Sequence, residues 1–284
     1  WARIEADRFM HPVIRGFHTE LETVYEEKNM SLTNDFRKSL EAMDGILFAD
    51  HPYGTQTVLG TQEHLKNPSV TNIKNYHKTY YVPNNMAICL SGDFDPDQML
   101  SIIEKYFGQM EPNKELPEVD FETKTVIESP VSKEVYGLDA ENIMIGWKYP
   151  GAGTQEALLA GVAEYILSNG SAGLIDLNLN QQQKVLGAQA MSYTRPDAGE
   201  FLIMADPKQG QTLDEVKDLV LAEIAKLRAG EFDEALLTGT INNMKLRQMR
   251  MLESNSDRAD MFVQSFIHGK DGADVVAWIE NLSK

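Results

Sequence analysis

Between residues 17 and 29 the chain reads FHTELETVYEEKN, and its acids are spaced for a helix. Glu20, Val24 and Glu27 stand at i, i+4 and i+7, so both carboxylates fall on one stripe with an apolar residue between them. A carboxylate on a partly apolar face needs a cation or a hydrogen-bond donor, because burying it unpaired is costly. A zinc ion meets that need for one of the two, with the other steadying the groups around the metal. The competing reading is a solvated acidic helix, since Glu22 and Glu26 lie in the same segment and glutamate is seldom buried.

Other chemistries find less support. The six histidines are His11, His18, His51, His64, His77 and His268, and no two lie three or four apart, which removes a helical two-histidine metal clamp. His18 and Glu20 form an H-x-E, but a nucleobase deaminase also needs P-C-x-x-C, and Cys89 is the only cysteine. That thiol sits in the apolar run Met86 to Leu90 and reads as an inert core residue. His51 lies in HPYG, where it is expected to cap or pack the turn. Asn169 to Gly173 lacks both phosphate-loop patterns and reads as a helix linker. Met244, Met249 and Met251 are expected to pack a helix into the core.

The elements that must position these residues fall into two groups. A short helix and a longer one are expected from Trp1 to about Leu47, broken at Pro12 and Gly16. A loop through HPYGTQTVLGTQEHL follows, then a helix from Ser69 to Tyr80, a buried strand from Met86 to Ser91 and a helix from Pro96 to Phe107. Residues 116–130, with Pro117 and Pro130 among alternating charges, read as an extended connection between domains at 1–115 and 131–284. Beyond it, strands are expected near Val131 to Tyr136 and Asn142 to Lys148, with helices from Thr154 to Leu167 and after Ser171. QAMSYT and EFLIMAD then form a hairpin turning at Pro196 to Gly199, and a Thr212–Glu215 capping box opens a helix to Arg228, with further helices to the end. Strands and helices without regular alternation indicate an α+β fold.

The totals bound the function. A length of 284 residues suits two domains, and 42% hydrophobic with 24% charged residues is ordinary for a soluble globular protein. No apolar run approaches bilayer length. A formal net charge of -17 argues against nucleic acid and anionic membranes as partners, since neither attracts an acidic surface. One cysteine forbids an internal disulfide and leaves the compartment open between cytoplasm and periplasm. The first residue is Trp1, inside a helical pattern, so the natural N-terminus is expected elsewhere.

Taken in order, Glu20-Leu21-Glu22-Thr23-Val24-Tyr25-Glu26-Glu27, Lys28-Asn29, the HPYG loop at His51 to Gly54, Gly60, and YHKTYYVPNNMAICLSGDFD at Tyr76 to Asp95 resemble the insulinase (pitrilysin-type) metallopeptidases. The ordered set covers most of residues 1–110. The second unit resembles the family's following domain more weakly, through SNGSAGL at Ser168 to Leu174 and the later hairpin. The resemblance implies two α/β sandwich domains with antiparallel sheets, the first truncated at its N-terminus. It also implies that Glu27 is the third zinc ligand and Glu20 the acidic residue supporting the site.

Two parts of the family pattern are missing. No His-x-x-Glu-His occurs in the chain, so the other two ligands and the general base are expected upstream. The parent is thus expected to be a zinc metalloendopeptidase hydrolysing peptides by a zinc-bound water, while this piece alone is expected to be inactive and to bind little or no zinc. The alternative is a non-catalytic half that walls a chamber or docks a partner. The family's substrate-binding Arg and Tyr are also absent, with Asn180 and Gln181 where an Arg is expected. Peptide substrates and the other family half, in the same chain or a second copy, are the implied partners.

Overall fold

The computed structural model describes residues 1–118, 121–273 and 277. The N-terminal part is helical. Helix α1, Ala2–Met10, ends ahead of Pro12, and α2, Phe17–Ser31, follows. The single long helix expected up to Leu47 is in fact two, because the Asn34 side chain accepts the Arg37 amide at 2.9 Å and starts α3, Asp35–Leu47. Short helices α4, Pro52–Thr55, and α5, Gln62–Lys66, occupy the expected loop. Ser69 caps α6, Val70–Tyr80, and Asp95 caps α7, Pro96–Phe107, the two helices that the sequence predicts here.

The strands form one antiparallel sheet: β1, Ile143–Pro150; β2, Gly187–Thr194; and β3, Ala198–Asp206, in the order β1-β3-β2. The register sets Gly146 opposite Leu202 and Lys148 opposite Glu200 on β1 and β3, and Ala190 opposite Ile203 on β2 and β3. On one face Ile203, Ala188 and Ala190 pack against Ile166 and Leu167 of α8, Gln155–Leu167, and against Val216 and Val220 of α9, Leu213–Ala229. Leu179, in a π-helical turn at Asp176–Asn180, closes this core. Burying each of the leucine, isoleucine and valine side chains stabilises the fold by roughly 1.5–3 kcal/mol.

The other face is covered by α3. A Cβ on Gly146 would lie 2.8 Å from Met43 Sδ and 2.9 Å from Leu202 Cδ2, so only glycine admits the helix this close. Leu47, Phe48 and Ala198 form a second small cluster there. Strand β3 is therefore buried on both faces, which is why EFLIMA shows an apolar run and no clean alternation. Helices α10, Glu234–Glu253, and α11, Asn255–Ile267, follow; those expected beyond residue 273 lie outside the described residues.

The fold is α+β, and two of the expected strands do not form. Met86 to Ser91 and Val131 to Tyr136 are not strands. A strand exists only by pairing, and residues 86–91 make no backbone hydrogen bond to another segment among the described residues, leaving Ile88 39% exposed. An antiparallel sheet in the first unit is accordingly not seen among the described residues.

The described residues from 121 to 139, which take in part of the expected connection, form no helix or strand and are pinned at two places. Asp50 accepts the Lys124 amide at 2.6 Å and the hydroxyls of Thr123 and Thr125. Asp35 accepts the amides of Leu138 and Asp139 at 2.5 and 2.7 Å. From β1, Lys148 donates to Thr123 Oγ1 at 3.0 Å and to the Thr125 carbonyl.

Candidate functional site

Helix α2 carries the acidic stripe as the spacing predicts. Glu20 and Glu27 are exposed, Val24 between them is half-buried, and neither carboxylate has a hydrogen bond or ion pair to any described residue. The opposite side of the helix is fixed. Lys28, 5% exposed, donates to Glu41 Oε1 of α3 at 3.0 Å. Asn29 accepts from Gln62 of α5 at 2.5 Å and donates to Glu26 at 3.3 Å. On a helix Asn29 points away from Glu27 by 200° and Lys28 by 100°. These two contacts therefore set the azimuth of α2 and turn the glutamate stripe outward.

Below α3 lies a cluster of charged and aromatic groups. His51 is buried and N-caps α4, its Nδ1 accepting the Tyr53 amide at 3.1 Å, so its role is the expected turn cap. Its Nε2 faces Asp197 Oδ2 at 3.5 Å. Gly54 makes the turn possible, because a Cβ there would fall 2.3 Å from the Phe48 carbonyl oxygen. Arg195, in the hairpin turn, stacks on the rings of Phe48 and Tyr53 with its Cζ 4.8 and 4.3 Å from their centres. The same Nη2 donates to Asp44 Oδ1 and Glu200 Oε1, both at 2.8 Å. Burial, and then the charge of Asp44, push the Glu200 carboxyl up to about 7.

Sequence reasoning missed Arg195, Asp44, Glu200 and the Lys28–Glu41 pair. Arg195 and Asp44 lie 151 positions apart, so no local spacing announces them. The one available signal was Glu200 at the head of an apolar strand, a charge where the pattern wants none.

Asn180 and Gln181, where the resemblance leads one to expect an arginine, are occupied with structure. Asn180 donates to the Ala188 carbonyl at 2.8 Å and accepts the Ala188 amide at 2.9 Å, bracing the outer edge of β2. Gln181 donates to the Ser171 carbonyl at 2.7 Å.

Catalytic zinc takes three protein ligands and keeps one open position. Glu27 offers a free carboxylate of the right chemistry, but no group of three His, Cys, Asp or Glu among the described residues could hold a metal. The residues present thus fit one ligand and not a complete site. No helix among the described residues is long and apolar enough to cross a membrane.

Comparison with known proteins decides the family. A family model described as the peptidase M16 inactive domain matches residues 69–244. The chain belongs to the peptidase M16 family. The resemblance to insulinase-type zinc metallopeptidases read from the sequence therefore holds. Among M16 relatives, the zinc protease PqqE of Helicobacter pylori is 24% identical over 77% of this chain and 51% of its own length. An uncharacterised zinc protease, YmxG of Bacillus subtilis, is 22% identical over 89% of the chain and 61% of its own. The chain thus spans between about half and three fifths of these two relatives. The crystal structure of a protease from Helicobacter pylori superposes with a TM-score of 0.87 at 20% identity, covering 99% of this chain and 69% of that one. The first half of the periplasmic protease PqqL from Escherichia coli gives 0.74 at 13% identity, with 99% and 63% covered. Helix α2 precedes the matched M16 segment, so the glutamate stripe lies outside the part that the inactive-domain model describes.

Proposed function

We propose that this chain is part of a zinc metalloendopeptidase to which it contributes Glu27 as a metal ligand and Glu20 as a supporting carboxylate. Residues 1–115 then form the C-terminal part of the zinc-binding domain and residues 131–284 a second domain of the same type. The observation that carries the reading is the outward stripe on α2. Two carboxylates flank a half-buried valine, both without a partner among the described residues, on a helix whose other side is tied down by Lys28 and Asn29. Glu20 precedes Glu27 by two turns, about 10 Å along the axis, so one ion does not reach both directly. Glu20 acts through an intervening group, such as the second nitrogen of a ligating histidine.

The two histidines and the general base come from a His-x-x-Glu-His motif elsewhere in the protein. When bound, zinc supplies an acidified water and polarises the peptide carbonyl under attack. The residues of this chain present and orient the third ligand and keep its oxygens free. Peptides are the substrates, and a second M16 half, from the same protein or another copy, completes the chamber; the half-length structure of PqqL supports that organisation.

A non-catalytic half is the second reading. It is favoured by the matched inactive-domain model and by Asn180 and Gln181 standing where an oxyanion-binding arginine is expected. One experiment separates the two. The intact protein is assayed on an unfolded peptide with and without a zinc chelator, and again as Glu27→Gln. Chelator-sensitive cleavage that disappears in the variant is expected. A wild-type protein inert to peptides leaves the non-catalytic half standing.

A further inference from the structure

The cluster under α3 is more than packing, because it places a buried carboxylate, Glu200, and a half-buried one, Asp44, on one cation. Glu200 is 2% exposed, and its Oε2, like Arg195 Nε, is buried without a hydrogen-bond partner. Asp44 belongs to α3, while Arg195 and Glu200 belong to the hairpin of β2 and β3. When Glu200 is protonated, one carboxylate and one guanidinium balance, and the acid can donate to Asp44. When it is ionised, two carboxylates on opposite elements face each other with one shared Arg195 donor nitrogen, and separating α3 from β3 relieves the repulsion.

The remaining charged and titratable groups nearby are already engaged. Lys148, cross-strand from Glu200 on β1, spends its ammonium on Thr123 and Thr125. Tyr149 of β1 hydrogen-bonds Thr194 at 2.9 Å. Asp197 takes the hydroxyl of Tyr53 at 3.0 Å and faces His51.

The same helix α3 holds α2. Glu41 stands one turn before Asp44 and receives buried Lys28. A mechanical line therefore runs from β3 through Arg195 and Asp44 to α3, and through Glu41 and Lys28 to the helix bearing Glu27. We propose that Glu200 is a positioning residue: the Asp44–Arg195–Glu200 clasp seats α3, and with it α2, firmly when Glu200 carries a proton and loosely when it does not. This deepens the peptidase reading, and it rests on that reading only for its consequence at Glu27.

Amide hydrogen exchange on the intact protein, corrected for intrinsic rates, tests the clasp without needing activity. The folded carboxyl sits near 7, above its ordinary 4.5, so protection of α3 and α2 is greatest below about 4.5. It falls as pH rises, by at most about tenfold per unit, and levels off above about 7. Glu200→Gln, which keeps an acceptor for Arg195, is expected to flatten this profile in both helices. Asp44→Asn removes one cause of the raised value and is expected to move the levelling point to lower pH. A Glu200→Gln profile that keeps the wild-type slope, or a pH response confined to α3, overturns the proposal; if that variant does not fold, an unmoved levelling point in Asp44→Asn overturns it. Peptide cleavage is read in parallel. A protein with the expected exchange profile but no chelator-sensitive cleavage keeps the clasp and loses the peptidase, and the converse keeps the peptidase and loses the clasp.

Discussion

Glu20 and Glu27 share a stripe but differ in what their loss removes. Replacing Glu20 with Gln keeps the shape and an acceptor while discarding the charge that, in the proposed site, steadies a ligand. Chelator-sensitive peptide hydrolysis by the intact protein is expected to fall about 10–100-fold. The thermal midpoint should hardly move, because an exposed side chain without partners contributes within about 0.5 kcal/mol. A large loss of stability with activity retained would place Glu20 among the structural residues. The stripe itself was legible in the sequence, since a period of 3.6 is a local property of the chain. Its orientation was not. Lys28 reads as one more charge at the end of an acidic segment, and its partner Glu41 lies 13 positions on in a different helix. Arg195 was hidden for the same reason, and more completely, because both its aromatic platform and its carboxylate Asp44 come from the far side of the chain.

At the scale of elements, caps were readable and pairing was not. Ser69, Asp95, Thr154 and Thr212 each start the helix they announce, because a cap acts within three residues of itself. Met86 to Leu90 has a strand's composition, but composition cannot supply a neighbour, and the segment stays unpaired among the described residues. The break between α2 and α3 went unread since Asn34 has no apolar discontinuity around it. The seat of α3 on the sheet makes a prediction at this scale. Gly146→Ala pushes a methyl group into Met43 and Leu202, whose flexible ends can give way only in part. Equilibrium denaturation is expected to show a loss of roughly 1–3 kcal/mol, with faster amide exchange in α3 than in α9, which lies on the other face of the sheet. Equal loosening of both helices would mean that Gly146 supports the strand and not the helix seat.

For the whole molecule, the stretch from Thr123 to Asp139 is held as a strap and does not hang as a tether. Prolines and alternating charges suggested an extended segment over 116–130, and its described residues form no helix or strand; Asp50, just beyond α3, holds it, while Asp35 at the start of α3 holds Leu138 and Asp139 farther along the chain, and sequence gives no hint of either contact. Both carboxylates are anchored in their ionised form. Hydrogen bonds from Thr125, Lys124 and Thr123 bring Asp50 down to about 2, and Lys38 with the amides of Asp139 and Leu138 holds Asp35 below its ordinary value. A depressed carboxyl contributes its stabilisation above its unfolded value and loses it as pH falls through its folded value. The strap is therefore expected to stay fastened at neutral pH and to release at the Asp50 end only as pH drops from about 3.8 towards about 2. Amide NMR resolves this directly: the Lys124 proton should shift with a midpoint near 2, and Leu138 and Asp139 should titrate together below the usual aspartate range. In Asp50→Asn the Lys124 shift should vanish while Leu138 and Asp139 titrate as before, since the two anchors share no partner. If Leu138 and Asp139 change with it, the two anchors are coupled and the strap releases as one unit.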